Sequence, residues 1–268
     1  MGNTNQDTKM FGLFKNNSST KVFSISHIGD RKENQDSLIH LKSGLSECYL
    51  VADGMGGHSG GKLASTKFCT AMSQLFPLYI NNIDNIDNID NNNSQDINNL
   101  IDDARLQMCQ QVKAENPDLS PHTTAVLVIY DKEYAHIAHA GDSRAYLFQN
   151  QALTWQSKDH SIAQLMVDQG DMEETEIPQD QSQNILYRSI ECEKKHLINI
   201  SRFKIGSGDK IILCTDGFWC FVKQQELLDL AQSSKPKKTL KQLTQKAYRR
   251  AKGDADNITA LLIQFPTT

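Results

Sequence analysis

At 268 residues the chain is long enough to bury a core as one large domain or two small ones, without disulfides or a structural metal. Hydrophobic residues make up 38% and charged residues 22%, and the formal charge of −4 gives no electrostatic case for nucleic acid or an anionic membrane as partner. No apolar run nears the roughly 18 residues of a membrane span, and the opening stretch MGNTNQDTKMFGLFKNN lacks the apolar region of a secretory signal.

Gly2 invites a myristoylation reading, but Gln6 stands where Ser or Thr is usual. A soluble, cytoplasmic protein is expected, with a loose tail at 1–19 and one domain at 20–268. The six cysteines, at 48, 69, 109, 192, 214 and 220, contain no C-x-x-C pair and mostly sit in apolar runs. Reduced thiols are the expectation.

In chain order, KVFSIS (21–26) alternates like a strand and is followed by the polar stretch GDRKENQD. Glu47 to Ala52 is a short apolar run stopping at Asp53-Gly54, as a buried strand would. From Gly61 to Ile80 apolar residues recur at three and four, predicting a helix with Pro77 near its end. Residues 81–99, NNIDNIDNIDNNNSQDINN, cannot keep one helical or strand face apolar and read as a mobile low-complexity insertion. A second helix is predicted over about 97–115, ending before Asn116-Pro117.

Thr123 to Tyr130 and Tyr134 to His139 read as strands, and Gly141-Asp142 turns the chain into another, Ser143 to Phe148. Residues 157–196 are polar, with one helix near Ile162 to Gln169, and look like a surface excursion. The strands HLINISRF and KIILCT follow, then helices at about 224–232 and 238–251, and the closing strand ITALLIQF. Sheets with helices gathered in pairs make an α+β architecture.

One local pattern recurs: an apolar strand meets a carboxylate. It occurs at Asp53, Asp142 and Asp216, and at a strand's start at Asp256. Brought to one rim of a sheet, these four would repel strongly unless cations neutralised them. Oxygen ligands without a His or Cys set select Mg²⁺ or Mn²⁺, and two such ions about 3.5–4 Å apart activate water for displacement at phosphorus. Each Asp is otherwise an ordinary turn residue.

The stretch Gly56 to Lys62 also spells most of a P-loop, but Leu63 stands where Ser or Thr must follow the lysine. Gly56, Gly57, Gly60 and Gly61 then form a flexible loop entering the helix. No C-x₅-R, G-x-S-x-G or H-E-x-x-H sequence supports another nucleophile class. His136 and His139, on opposite faces of a predicted strand, are taken as structural. Arg31 follows the first strand closely, where its fork could take a phosphate dianion or stand as a solvated turn charge.

The segments GDRKENQD (29–36), VADGMGGH (51–58), TTAVL (123–127), AHAGDSRAYL (138–147), KDHS (158–161), ILCTDGFW (212–219) and DADNITALL (254–262), in this order, resemble the type-2C, metal-dependent serine/threonine protein phosphatases, the PPM family, in its bacterial branch. The resemblance spans about 21–266. It implies a four-layer α-β-β-α sandwich with a binuclear metal site at one end, and hydrolysis of phosphoserine or phosphothreonine in proteins by a metal-bridging hydroxide, without a phosphoenzyme.

By position, Asp53 is the bridging ligand of two Mn²⁺ or Mg²⁺ ions, Gly54 a carbonyl ligand, and Asp216 and Asp256 ligands of the first metal. Asp142 matches the site of a third, labile ion shared with Asp216. Asp36 orients water, with Gln35 where some relatives have Glu; Asn257 lies behind the ligands, Arg31 clamps phosphate, and 157–196 is the flap. Phosphorylated proteins, the substrates of a Ser/Thr kinase, are the implied partners of a monomer. Two departures stand out. Met55 occupies the place of a proposed general-acid histidine, with His58 too displaced to inherit it, and His27 stands where an aspartate is frequent. A scaffold that keeps the fold without turnover and a metal-dependent phosphodiesterase are the alternatives.

Overall fold

The computed structural model describes residues 19–56, 60–83, 93–195 and 198–266. One sheet has the order β1 (Lys21–His27), β12 (Ile258–Gln264), β11 (Lys210–Cys214), β7 (Arg144–Gln149) and β8 (Ala152–Gln156). The other has the order β10 (Ile200–Lys204), β6 (Tyr134–Ala140), β5 (Ala125–Tyr130), β3 (Ser46–Met55), β4 (His122–Thr123) and β9 (Ile190–Glu191), with β2 (Asp36–Ser43) on the free side of β3. All these pairings are antiparallel.

Helices α1 (Gly60–Ile83) and α2 (Asn93–Glu115) cover the outer face of the second sheet. Helices α3 (Ile162–Gln169), α4 (Asp216–Trp219), α5 (Gln224–Gln232) and α6 (Pro236–Arg250) lie on the side of the first. The α-β-β-α layering expected from the resemblance is what the chain adopts.

The layering explains the unbroken apolar runs. Successive side chains of a strand point to opposite faces, so in β3 Leu50 packs toward α1 while Val51 enters the core between the sheets with Val126, Leu147, Leu213 and Leu261. Both faces are covered, so the strand reads as continuous rather than alternating. Each such side chain contributes about 1.5–3 kcal/mol on burial.

Several elements differ from the sequence reading, each for a local reason. Strand β2 went unassigned because His40 and Lys42 interrupt its apolar residues; it is a sheet edge, held to β3 from Asp36↔Asp53 to Ser43↔Ser46. Strand β8 was also missed. Its hairpin turn is made by Asn150 and Gln151 at φ 51° and 63°, a left-handed pair that usually advertises itself with glycine. Helix α1 runs on to Ile83, past the expected end at Ile80, with Pro77 inside it. Helix α2 starts at Asn93, not 97, so the expected insertion at 81–99 is partly helical, and Ile97 is buried in the core. Residues 84–92 lie outside the described residues, as do Gly57 and His58 of the glycine loop and all of the expected tail except Ser19.

The expectation of six reduced thiols is corrected at one pair. Cys109 of α2 and Cys192 form a disulfide, their Cα atoms 5.5 Å apart across 83 residues of sequence. Nothing in the spacing of the cysteines could announce a contact made by folding. Cys48, Cys69, Cys214 and Cys220 are free, and burial pushes the Cys69 thiol up to about 12. Among the described residues no helix is long and apolar enough to cross a membrane.

Candidate metal and phosphate site

The antiparallel pairing of β2 with β3 sets Asp36 opposite Asp53. Strand β3 does not stop at Asp53, as the sequence suggested, but runs on to Met55 and pairs with β4. Asp142 lies in the turn between β6 and β7, Asp216 opens α4 directly after β11, and Asp256 precedes β12. The two sheets thus deliver five carboxylates to one end of the sandwich.

Hydroxyls fix the backbone that carries them. Thr123 Oγ1 and the Thr124 amide both donate to the Asp53 carbonyl, at 2.9 and 2.8 Å, and Thr124 Oγ1 accepts from the Asp53 amide at 2.9 Å. Thr215 Oγ1 donates to Asp36 Oδ2 at 3.0 Å, while Lys62, the residue that mimicked a P-loop lysine, donates to the Asp36 carbonyl at 3.1 Å. Asp36 Oδ1 is enclosed and has no hydrogen-bond partner. A buried carboxylate oxygen without a donor is costly, and it marks a place built to meet something else.

The electrostatics agree. Burial, then the neighbouring charges of Asp36, Asp216, Asp142 and Asp256, raise the Asp53 carboxyl well above its ordinary range. Asp142 is raised likewise by burial and by Asp216 and Asp159. Burial chiefly pushes Asp36 up to about 7, with Asp216 and Asp256 adding to it. Asp216 goes up to about 6, from burial and then Asp256. The donor set is oxygen only, which suits hard divalent cations, and the orphaned Asp36 oxygen suits a water they would bind. The carboxylates sense one another without closing: the described residues that present three ligating atoms within 4.8 Å of one another are His122, Glu191 and Glu193, elsewhere on the surface.

The loop carrying Arg31 is braced from the far end of the chain. Asn257 Nδ2 donates to the carbonyls of Ile28 and Glu33 at 2.8 and 3.0 Å, and its Oδ1 accepts from the Gln35 amide at 2.7 Å. Gly29 sits at φ +68° with Asp256 O 2.0 Å from where a Cβ would stand, so only glycine admits this approach. His27, whose place in the pattern was unexplained, accepts the Gly29 amide on Nδ1 at 2.9 Å and so holds the turn. The Gln35 carbonyl accepts from the Gly54 amide at 3.2 Å. Arg31 does not reach into open space for a phosphate. Its Nε and Nη2 fork onto Asp256 Oδ1 and Oδ2 at 3.0 and 2.9 Å, with 55% of its side chain exposed.

The base of the expected flap is anchored to the Asp142 turn by residues whose role the sequence does not show. Arg144 forks onto the buried Asp159 at 2.8 and 2.7 Å and lies 3.5 Å over the Trp219 ring, whose Nε1 donates to the Asp142 carbonyl at 2.9 Å. His160 Nδ1 accepts the Gly141 amide at 3.2 Å, and its ring stacks on His139 at 4.6 Å. His136 is buried against Asp131 at 3.3 Å, so both strand histidines have structural partners. Helix α3 starts where the sequence placed it, with Ser161 Oγ accepting from the Gln164 amide and Gly170 closing it at φ 83°.

Comparison with known proteins gives a consistent picture. The family model for protein phosphatase 2C matches residues 25–254. A serine/threonine phosphatase stp of Listeria welshimeri is 28% identical over 219 residues, covering 80% of this chain and 83% of its own. A putative protein phosphatase of Mycoplasma genitalium is 31% identical over 244 residues, 88% and 91% of the two chains. Among solved structures, the catalytic domain of the phosphatase PstP in complex with two manganese ions shares the fold, with a TM-score of 0.75 and 24% identity over 92% of this chain and 98% of that one.

Proposed function

The chain belongs to the protein phosphatase 2C family and is a phosphoprotein phosphatase of the bacterial serine/threonine type, and from that premise we propose how its aspartates and Arg31 act. Asp53, the Gly54 carbonyl, Asp216 and Asp256 would hold two Mn²⁺ or Mg²⁺ ions, with Asp142 and Asp216 available to a third. When bound, the ions supply activation of a water and neutralisation of phosphoryl charge. The observation that carries this reading is the cluster of carboxylates raised first by burial and then by one another's charge, with Asp36 Oδ1 left without a donor.

Asp36 would orient the attacking water through the carboxylate oxygen that has no donor in the fold. Arg31 transfers its fork from Asp256 to the phosphoryl oxygens, an exchange between two anions of similar geometry. Asn257, Gly29 and His27 keep the Arg31 loop in register while this happens. Burial pushes the Cys48, Cys69, Cys214 and Cys220 thiols up, away from thiolate, which speaks against a cysteine phosphoenzyme and for direct attack by water. With Met55 at the histidine position, water serves as the leaving-group acid. The chain acts as a cytoplasmic monomer on proteins phosphorylated by a Ser/Thr kinase.

The test is phosphate release from a phosphothreonine peptide in Mn²⁺, in Mg²⁺ and in EDTA. Activity should require the metal and fall by at least about a thousandfold in Asp216→Ala with the fold retained. A fully active Asp216→Ala protein would sink the site.

A further inference from the structure

Three ligating side chains outside the aspartate set converge where β4 pairs with β9. Register in the β4–β9 pair sets His122 opposite Glu191, with His122 Nδ1 3.7 Å from Glu191 Oε2. Glu193 completes a set in which one atom from each residue lies within 4.8 Å of the others. Two ligands about 2.1 Å from a tetrahedral zinc are roughly 3.4 Å apart, so the His122–Glu191 spacing is already close to that of a bound ion.

The set is also held in place. Cys192, between the two glutamates, is tied to α2 by its disulfide with Cys109. Arg105, itself paired with Asp102 at 2.8 Å, donates to the carbonyls of Glu191 and Cys192 at 3.2 and 3.4 Å. Ser120 Oγ donates to Glu193 Oε1 at 2.7 Å, orienting that carboxylate. Outer hydrogen bonds and tethers of this kind position metal ligands in built sites.

We propose that His122, Glu191 and Glu193 form a separate binding site for a zinc-class divalent cation. One imidazole nitrogen with two carboxylates prefers Zn²⁺ to Mn²⁺ or Mg²⁺, whereas the oxygen-only aspartates suit the harder ions. The two sites are therefore chemically distinguishable. The ion would staple the strand returning from 157–189 onto β4, whose His122 and Thr123 pair with Met55 and Gly54. The proposal does not depend on the phosphatase reading.

The experiment measures zinc bound per chain by equilibrium dialysis on the full chain, with Zn²⁺ alone as probe, for wild type, His122→Ala and Glu193→Gln. Anomalous diffraction at the zinc edge locates the ion. Wild type should bind one zinc more than His122→Ala, with density at His122, and Glu193→Gln should bind it at least about tenfold more weakly. Glu193 is exposed, so its variant reads the site even if His122→Ala folds poorly. Equal zinc stoichiometry and affinity in wild type and Glu193→Gln, or no zinc density at His122, would overturn the proposal and leave an ordinary His122–Glu191 ion pair.

Discussion

Asp142 and Asp159 are both buried at one corner of the molecule, linked through Trp219 and Arg144, and are compensated in opposite ways. Asp159 receives both arms of Arg144; burial raises its carboxyl, and Arg144 pulls the other way. Asp142 receives a hydrogen bond from Trp219 only on its carbonyl, and its carboxyl is raised by burial and by the charges of Asp216 and Asp159, which its own amide and the charge of Arg144 offset only in part. The structural acid has its own cation, while for the acids at the strand ends the proposal assigns one from solution. Asp256 is the exception, and its partner Arg31 is exposed enough to leave.

Breaking the compensated side should have the largest effect. Asp159→Ala leaves Arg144 buried and unpaired and should cost about 3–5 kcal/mol, read as a fall in chemical-denaturation midpoint. A loss under about 1 kcal/mol would mean that Arg144 is not held by this pair.

The uncompensated side should show itself through pH. Asp36 is raised to about 7 in the fold, so between about pH 4 and 7 the folded state keeps a proton that the unfolded chain has lost. Stability of the metal-free protein should therefore fall as pH rises through that window, by roughly 3–4 kcal/mol from this group. Asp36→Asn should flatten the slope, and Mn²⁺ should flatten it in wild type. A metal-free protein whose thermal midpoint climbs from pH 5 to 7 as steeply in wild type as in Asp36→Asn would contradict a raised Asp36 carboxyl.

The smallest effect belongs to a partly exposed pair. Arg250 beside Glu226 draws its carboxyl down to about 2. Its stabilisation is present above the ordinary carboxylate range and is lost as pH falls from about 4.5 toward 2. Solvent screening limits it, so Glu226→Gln should cost only about 0.5–1 kcal/mol at neutral pH, measured by thermal unfolding.

Much of this was legible in the residues because it is local. KIILC and CYLVA carry their strands in adjacent apolar positions, although Asp53-Gly54 lies inside β3 and Asp216-Gly217 opens α4 where the sequence suggested a turn. The parts that escaped depend on contacts across the fold. Nothing in GDRKENQD tells that Arg31 will fork onto Asp256, 225 residues away, nor that Gly29 needs its φ because Asp256 O crowds it. The Cys109–Cys192 pair is of the same kind. Strand β8 was hidden for a different reason, a turn built by Asn150 and Gln151 without the glycine that sequence rules look for. The convergence of the aspartates could be anticipated from their repeated pattern; their roles as ligands rest on the proposal above.

Calorimetric titration of Mn²⁺ into the metal-free protein, wild type beside Asp53→Asn, tests that proposal most directly. Wild type should bind at least two ions per chain, and Asp53→Asn, with one carboxylate charge fewer, should lose the tight sites while keeping its fold. No heat of binding in wild type, or an unchanged isotherm in Asp53→Asn, would contradict the claim that these uncompensated carboxylates exist to hold cations.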